Sequence, residues 1–158
     1  MNDQRKLLRH TLATLAYRGG KVVRDAPAGF STTKACPTCR TAGQILTHLG
    51  DLLDWALTAV RGQLKWSQQP PRSWDEDAAR FFTALQSLDD YLASEEPLGC
   101  PAEKLFQGPI ADAFTHVGQL ATLRRLAGTP VKGENYFVAE IAVGQVGANQ
   151  SQPNFEFD

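Results

Sequence analysis

The sequence is short of several things, and each shortage narrows its reading. No run approaches 18 uninterrupted apolar residues, so no membrane-spanning helix is expected. Charge of one sign is not in excess: 16 Lys and Arg stand against 17 Asp and Glu, a net charge of −1. That excludes the basic footprint of a nucleic-acid binder and leaves no broad steering toward an anionic membrane. Cysteine is scarce and odd in number, with three in 158 residues. A disulfide framework is therefore not expected, and a reducing cytoplasm is the default compartment. The opening residues, Met1 to Lys6, lack the basic, then apolar, then small order of a secretory signal. Repeats and low-complexity tracts are missing too. What is present is 42% hydrophobic and 21% charged residues, in a length that fills one ordinary core. The expectation is a single domain over 1–158.

Four helical patterns separated by Gly/Pro-rich joints organise the chain. The first covers 4–24, with Leu7, Leu8, Leu12, Leu15 and Ala16 recurring at three and four residues. Gly19-Gly20 weakens it by about 1 kcal/mol per glycine relative to alanine, so a bend or early end is allowed there. Residues 25–40 read as a long loop. Thr41 then caps a second helix, with Gln44 completing a capping box, and Ile45, His48, Leu49, Leu52, Trp55, Ala56 and Ala59 share a face. Ser73 and Glu76 form the same box for a third helix faced by Ala78, Phe81, Phe82, Leu85, Leu88, Tyr91 and Leu92. The fourth is split by Gly108-Pro109, with its main run expected from near Pro109 to Ala127, stopped by Gly128 and Pro130. The fold class expected is all-α: a four-helix bundle with its core over 4–128 and an irregular extension over 129–158. Within the extension, 136–143 reads as either a helix or an extended segment.

Histidine is as scarce as cysteine, which makes the three positions informative. His10 lies between Arg9 and Thr11 and reads as a surface residue. His48 and His116 lie on apolar helix faces, where a buried ring needs partners for its nitrogens. Asp112 precedes His116 by one helical turn, so the two side chains share a face and can grip one ion. If the second and fourth helices are neighbours, His48 supplies a third ligand. Two imidazoles and one carboxylate suit one divalent zinc, nickel or iron ion, with positions left open for water or substrate. The plain alternative is a pair of core histidines satisfied by nearby carboxylates.

The segments Ile45-Leu-Thr-His48-Leu-Gly-Asp51-Leu-Leu-Asp54-Trp55 and Asp112-Ala-Phe-Thr-His116-Val-Gly118-Gln119 resemble the second- and fourth-helix signatures of the DinB/YfiT-like metalloenzymes. The resemblance runs from the first helix through Glu134, Asn135 and Tyr136. It implies a bundle of up-down-down-up order. It also implies a metal held by one histidine of the second helix and an H-x-x-x-H pair of the fourth. His48 and His116 match that pattern, and Asp112 stands where the family has a histidine. A carboxylate there adds negative charge, which favours the dication but makes its bound water a weaker acid. Relatives of this kind include transferases and isomerases that use low-molecular-weight thiols. The implied function is a metal-dependent transferase or hydrolase acting on a small molecule, with no nucleic-acid or membrane partner and a homodimer allowed. The alternative is a non-catalytic binding or dimerisation bundle with a vestigial site.

Other residues take lesser roles in this reading. Asp51 lies one turn after His48 and is expected to orient it or to pair with an arginine such as Arg61. Gln119 is expected as a polar neighbour of His116, and Glu134, Asn135 and Tyr136 are expected to fold back over the bundle, where they could line the pocket. Arg124 and Arg125 are expected to face solvent, and Trp55, Trp66 and Trp74 to pack. Cys36-Pro-Thr-Cys39 is a C-x-x-C before the second helix, without the βαβ context of a thioredoxin site or the second pair of a zinc site. It reads best as an exposed loop pair that oxidises.

Overall fold

A computed structural model describes residues 3–157. Met1, Asn2 and Asp158, the ends of the expected 1–158 domain, lie outside them. The described chain is helical, with four long helices and one very small sheet. They are α1 (Asp3–Val23), α2 (Ala42–Val60), α3 (Trp74–Ala93), a short α4 (Ala102–Leu105), and α5 (Ala111–Leu126). A π-type turn, Phe106–Ile110, joins α4 to α5. Strands β1 (Gly133–Glu134) and β2 (Glu156–Phe157) pair antiparallel, Gly133 opposite Phe157.

The caps form as local chemistry dictates. Thr41 Oγ1 accepts from the Gln44 amide at 3.2 Å, and Gln44 Oε1 accepts from the Thr41 amide at 2.8 Å. Ser73 and Glu76 repeat the arrangement on α3. Each box satisfies two amides that no helical carbonyl reaches.

The helices meet as two opposed pairs. α2 packs on α3 and α5, and α1 packs on the same two. Leu12, Leu15, Leu46, Leu49, Leu85 and Leu88 are fully buried between them. Thr47 near the start of α2 donates to Asp77 near the start of α3 at 2.6 Å. Arg9 near the start of α1 forms an ion pair with Asp89 near the end of α3 at 2.7 Å.

Three expectations change. Gly19-Gly20 does not bend α1; the helix runs through it to Val23. A Cβ at Gly19 would stand 2.7 Å from Phe81 Cζ, so the glycine lets the Phe81 ring seat on α1. The fourth helix is split at Gly108-Pro109 as expected, but helical turns begin at Ala102 and the main run starts at Ala111 rather than Pro109. Pro109 has no N–H to give and its ring opposes a regular turn, so the chain widens and Gly108 leaves helical geometry at φ −89° and ψ −105°. The run 136–143 is neither a long helix nor a strand: Tyr136–Val138 is one 3₁₀ turn, and among the described residues the strands of the extension are β1 and β2.

Arg124 also differs from expectation. It is 6% exposed and donates to the carbonyls of Val22, Arg24 and Thr129, tying the end of α5 to the end of α1. Arg125 and His10 are exposed. No helix of the described residues is long and apolar enough to cross a membrane.

Candidate metal centre

The capping box fixes where α2 starts and so places His48 on the side of the helix that meets α5. The Gly108-Pro109 interruption restarts the helix just before Asp112, which falls in the first turn of α5 with His116 one turn on. The three side chains converge. Asp112 Oδ2 lies 3.8 Å from His48 Nε2, and Asp112 Oδ1 lies 3.5 Å from His116 Nε2. The two imidazole rings stand edge to face, centroids 4.7 Å apart. One ligand atom from each residue lies within 4.8 Å of the others, and this is the metal-competent cluster among the described residues. Ligand atoms each about 2.0–2.2 Å from one zinc ion stand about 3.3–3.6 Å apart at tetrahedral angles. Small side-chain adjustments would therefore close the cluster on an ion.

Gln119 takes the role expected of it. Its Oε1 lies 2.8 Å from His116 Nδ1. A carbonyl oxygen only accepts, so this contact puts a proton on Nδ1 and turns Nε2, the ligating nitrogen, toward Asp112. The environment of His48 disfavours its charged form. Burial holds its basicity below the ordinary histidine value, and the nearby His116 and Arg40 act the same way against the opposing carboxylates of Asp112 and Asp51.

Asp112 departs from the sequence picture. It reads there as a core residue, yet its side chain is 47% exposed. Ala113 beside it is fully buried, so the first turn of α5 turns Asp112 toward its open side and the site lies near the surface. Asp51 is buried but does not turn to His48. It pairs with Arg80 at 2.7 Å, where Asp54 also binds, and it accepts from the Gln69 amide. The arginine these aspartates meet is Arg80 of α3, and Arg61 stands over the Tyr91 ring instead. Glu134, Asn135 and Tyr136 are gathered elsewhere. Glu134 accepts from Tyr17 and Lys21, Tyr136 lies under the Arg18 guanidinium, and Asn135 caps its own 3₁₀ turn.

Trp66, expected to pack, stands edge-on to His48 at 5.7 Å and to Trp55 at 5.8 Å, covering one side of the imidazole. One contributor escaped the sequence reading. Arg40 borders both cavities that open at the site. The larger, about 680 Å³, is walled by His116, Gln119, Ile45 and Leu123. The smaller, about 120 Å³, is reached by His48, Gln44 and Asp51. Arg40 follows directly on the C-x-x-C and precedes the cap, which was its one available signal.

Comparison with family models, curated proteins and solved structures finds no match to the chain.

Proposed function

We propose that the chain is a divalent-metal-dependent enzyme acting on a small molecule, with His48, Asp112 and His116 holding one ion. The observation that carries this reading is the convergence of two imidazole nitrogens and a carboxylate from two helices, with Gln119 fixing the ring of one. The residues fit zinc, nickel or iron(II), which accept mixed nitrogen and oxygen ligands. Such an ion supplies Lewis acidity and lowers the pKa of a bound water or thiol. The chain's own residues do the rest. Gln119 orients His116, Trp66 shields His48 from water, and Arg40 offers a cation to an anionic part of the substrate entering the larger cleft. Three protein ligands leave room for that substrate, the pattern of a reacting site rather than a structural one.

The finer reading is a DinB/YfiT-like bundle in up-down-down-up order. It is supported by the contact between the starts of α2 and α3 and by the start of α1 meeting the end of α3. In that reading the reaction is transfer of a small thiol to an electrophile, or hydrolysis, in a reducing cytoplasm. The test is turnover of model electrophiles with a small thiol, and of ester and amide substrates, by metal-loaded protein. Turnover is expected to vanish on chelation and in His116→Ala, and to return when metal is added back to the parent. Turnover unaffected by chelation would leave the non-catalytic bundle as the better description.

A further inference from the structure

Cys36 and Cys39 are the one motif that neither the fold nor the metal reading absorbs. They occupy the tip of the loop between α1 and α2 and are joined by a disulfide. The loop is anchored on both sides of that tip. Phe30 is buried edge-on against Trp74, centroids 5.1 Å apart, and the Ala42 amide donates to the Thr33 carbonyl at 2.8 Å. Between the cysteines the chain closes a turn, the Cys39 amide donating to the Cys36 carbonyl at 3.1 Å. Backbone contacts therefore present the pair in a fixed place whatever its oxidation state.

That place is the edge of the larger cleft. Cys39 is exposed and borders the cleft together with Arg40, His116 and Gln119. Cys36 is half-buried, and its sulfur lies 3.6 Å from the Thr38 hydroxyl. The two sulfurs are thus unequal: one is open to a small molecule in the cleft, and the other has a hydroxyl ready to donate to a departing thiolate. Arg40, which lines the same cleft, brings a cation that favours the anions that exchange requires.

We propose that Cys36 and Cys39 form a thiol–disulfide exchange site whose substrate is a low-molecular-weight thiol admitted by the cleft beside His116. The thiolate of the small molecule attacks Cys39 Sγ. A new sulfur–sulfur bond forms there as the Cys36–Cys39 bond breaks, and the electron pair leaves on Cys36 Sγ, where the Thr38 hydroxyl donates. A second small thiolate attacks the mixed disulfide. It releases the symmetric small disulfide and leaves two protein thiols, which take up the two protons given by the small thiols. Two electrons pass from two thiols to the protein disulfide, and the reverse sequence oxidises the dithiol. The site uses no ligand of the metal cluster.

The test uses glutathione and glutathione disulfide as the probes. The full chain is equilibrated in mixtures of the two, quenched with acid, alkylated and weighed intact. The pair is expected to pass reversibly between no and two alkylated sulfurs as the mixture becomes more reducing. In Cys36→Ser, glutathione disulfide is expected to add one glutathionyl group to Cys39 at least ~10-fold faster than it modifies Cys100 in the chain lacking both loop cysteines. Cys100 is the internal reference, because burial pushes its thiol up from the ordinary value. The exchange is expected to be the same after chelation, which separates it from any failure of the metal reading. A pair whose oxidation state does not follow the mixture, or a Cys39 no faster than Cys100, overturns the proposal. The wild-type series needs no substitution and stands even if a variant folds poorly.

Discussion

Asp112 decides how the site behaves, because it touches both imidazoles while half its side chain meets water. A substitution at so exposed a position is expected to change stability by no more than about 0.5 kcal/mol. Asp112→Leu should therefore unfold at the denaturant midpoint of the parent while losing metal, and Asp112→His should keep it. A large loss of stability in Asp112→Leu would show the carboxylate to be a structural partner instead. Gln119 acts through His116, so Gln119→Leu is expected to weaken metal affinity about 10–100-fold without changing the stoichiometry at saturation, read by competition with a chelating dye. In metal-free protein, His48 sets a pH dependence. Its folded value is held below the ordinary 6.5, chiefly by burial. Above that pH neither state is protonated at His48. As pH falls through it, the unfolded chain binds the proton first and the native state loses stability. Denaturant midpoints measured from about pH 7.5 to about 5 should fall, and His48→Gln should flatten the slope; an equal slope in the variant would assign the effect elsewhere. At this scale the sequence was legible where spacing alone sets contact, as in Asp112, His116 and Gln119 within two turns of one helix. It was silent on Arg80 reaching Asp51 and on Trp66 reaching His48, because those contacts depend on which elements meet.

The elements were readable for a related reason. Caps are local, and the boxes at Thr41 and Ser73 announce themselves within four residues. Interruptions and close approaches are set by tertiary packing. Gly19 looks like a weak point in α1, yet its lack of a Cβ is what admits Phe81. Gly118, in α5, has no atom within 4 Å of where its Cβ would be. The two glycines should therefore respond oppositely to alanine. Gly19→Ala is expected to cost about 1–3 kcal/mol through overpacking. Gly118→Ala is expected to gain up to about 1 kcal/mol from helix propensity. Chemical denaturation of the two variants checks both signs, and a stabilised Gly19→Ala would mean that α1 and α3 pack more loosely than the ring contact implies. The interruption at Gly108-Pro109 belongs here too. Gly108 and Pro109 marked the split in the sequence; the structure adds the widened turn, Phe106–Ile110, that joins its two sides.

At the scale of the molecule, the extension is fastened to the helices by buried charge as well as by Val146, which is fully buried in the core. Lys21 is 7% exposed and Glu134 is fully buried, paired at 2.7 Å, and Tyr17 donates to the same carboxylate. Glu156 from β2 completes the clamp on Lys21 at 2.9 Å. Removing one member of a buried pair leaves the other charge uncompensated, at a cost of about 3–5 kcal/mol. Lys21→Met and Glu134→Leu should each destabilise strongly, and the double substitution should recover much of the loss. Additive losses in thermal or chemical unfolding would contradict the pairing. The sequence brought Glu134 and Tyr136 back over the bundle because the extension follows the fourth helix closely; that they meet α1 and not the pocket becomes visible only once the chain has folded.

The two halves of the candidate site come from helices that the sequence does not place side by side, so metal binding is where fold and chemistry are tested together. The most direct measurement is metal stoichiometry, by elemental analysis of tag-free protein after equilibration with zinc and removal of the excess. The account predicts one ion per chain in the parent and in His10→Ala, and no bound ion in His48→Ala, Asp112→Leu or His116→Ala that fold as the parent does. A parent without bound metal, or a folded His116→Ala that binds as much as the parent, would contradict it.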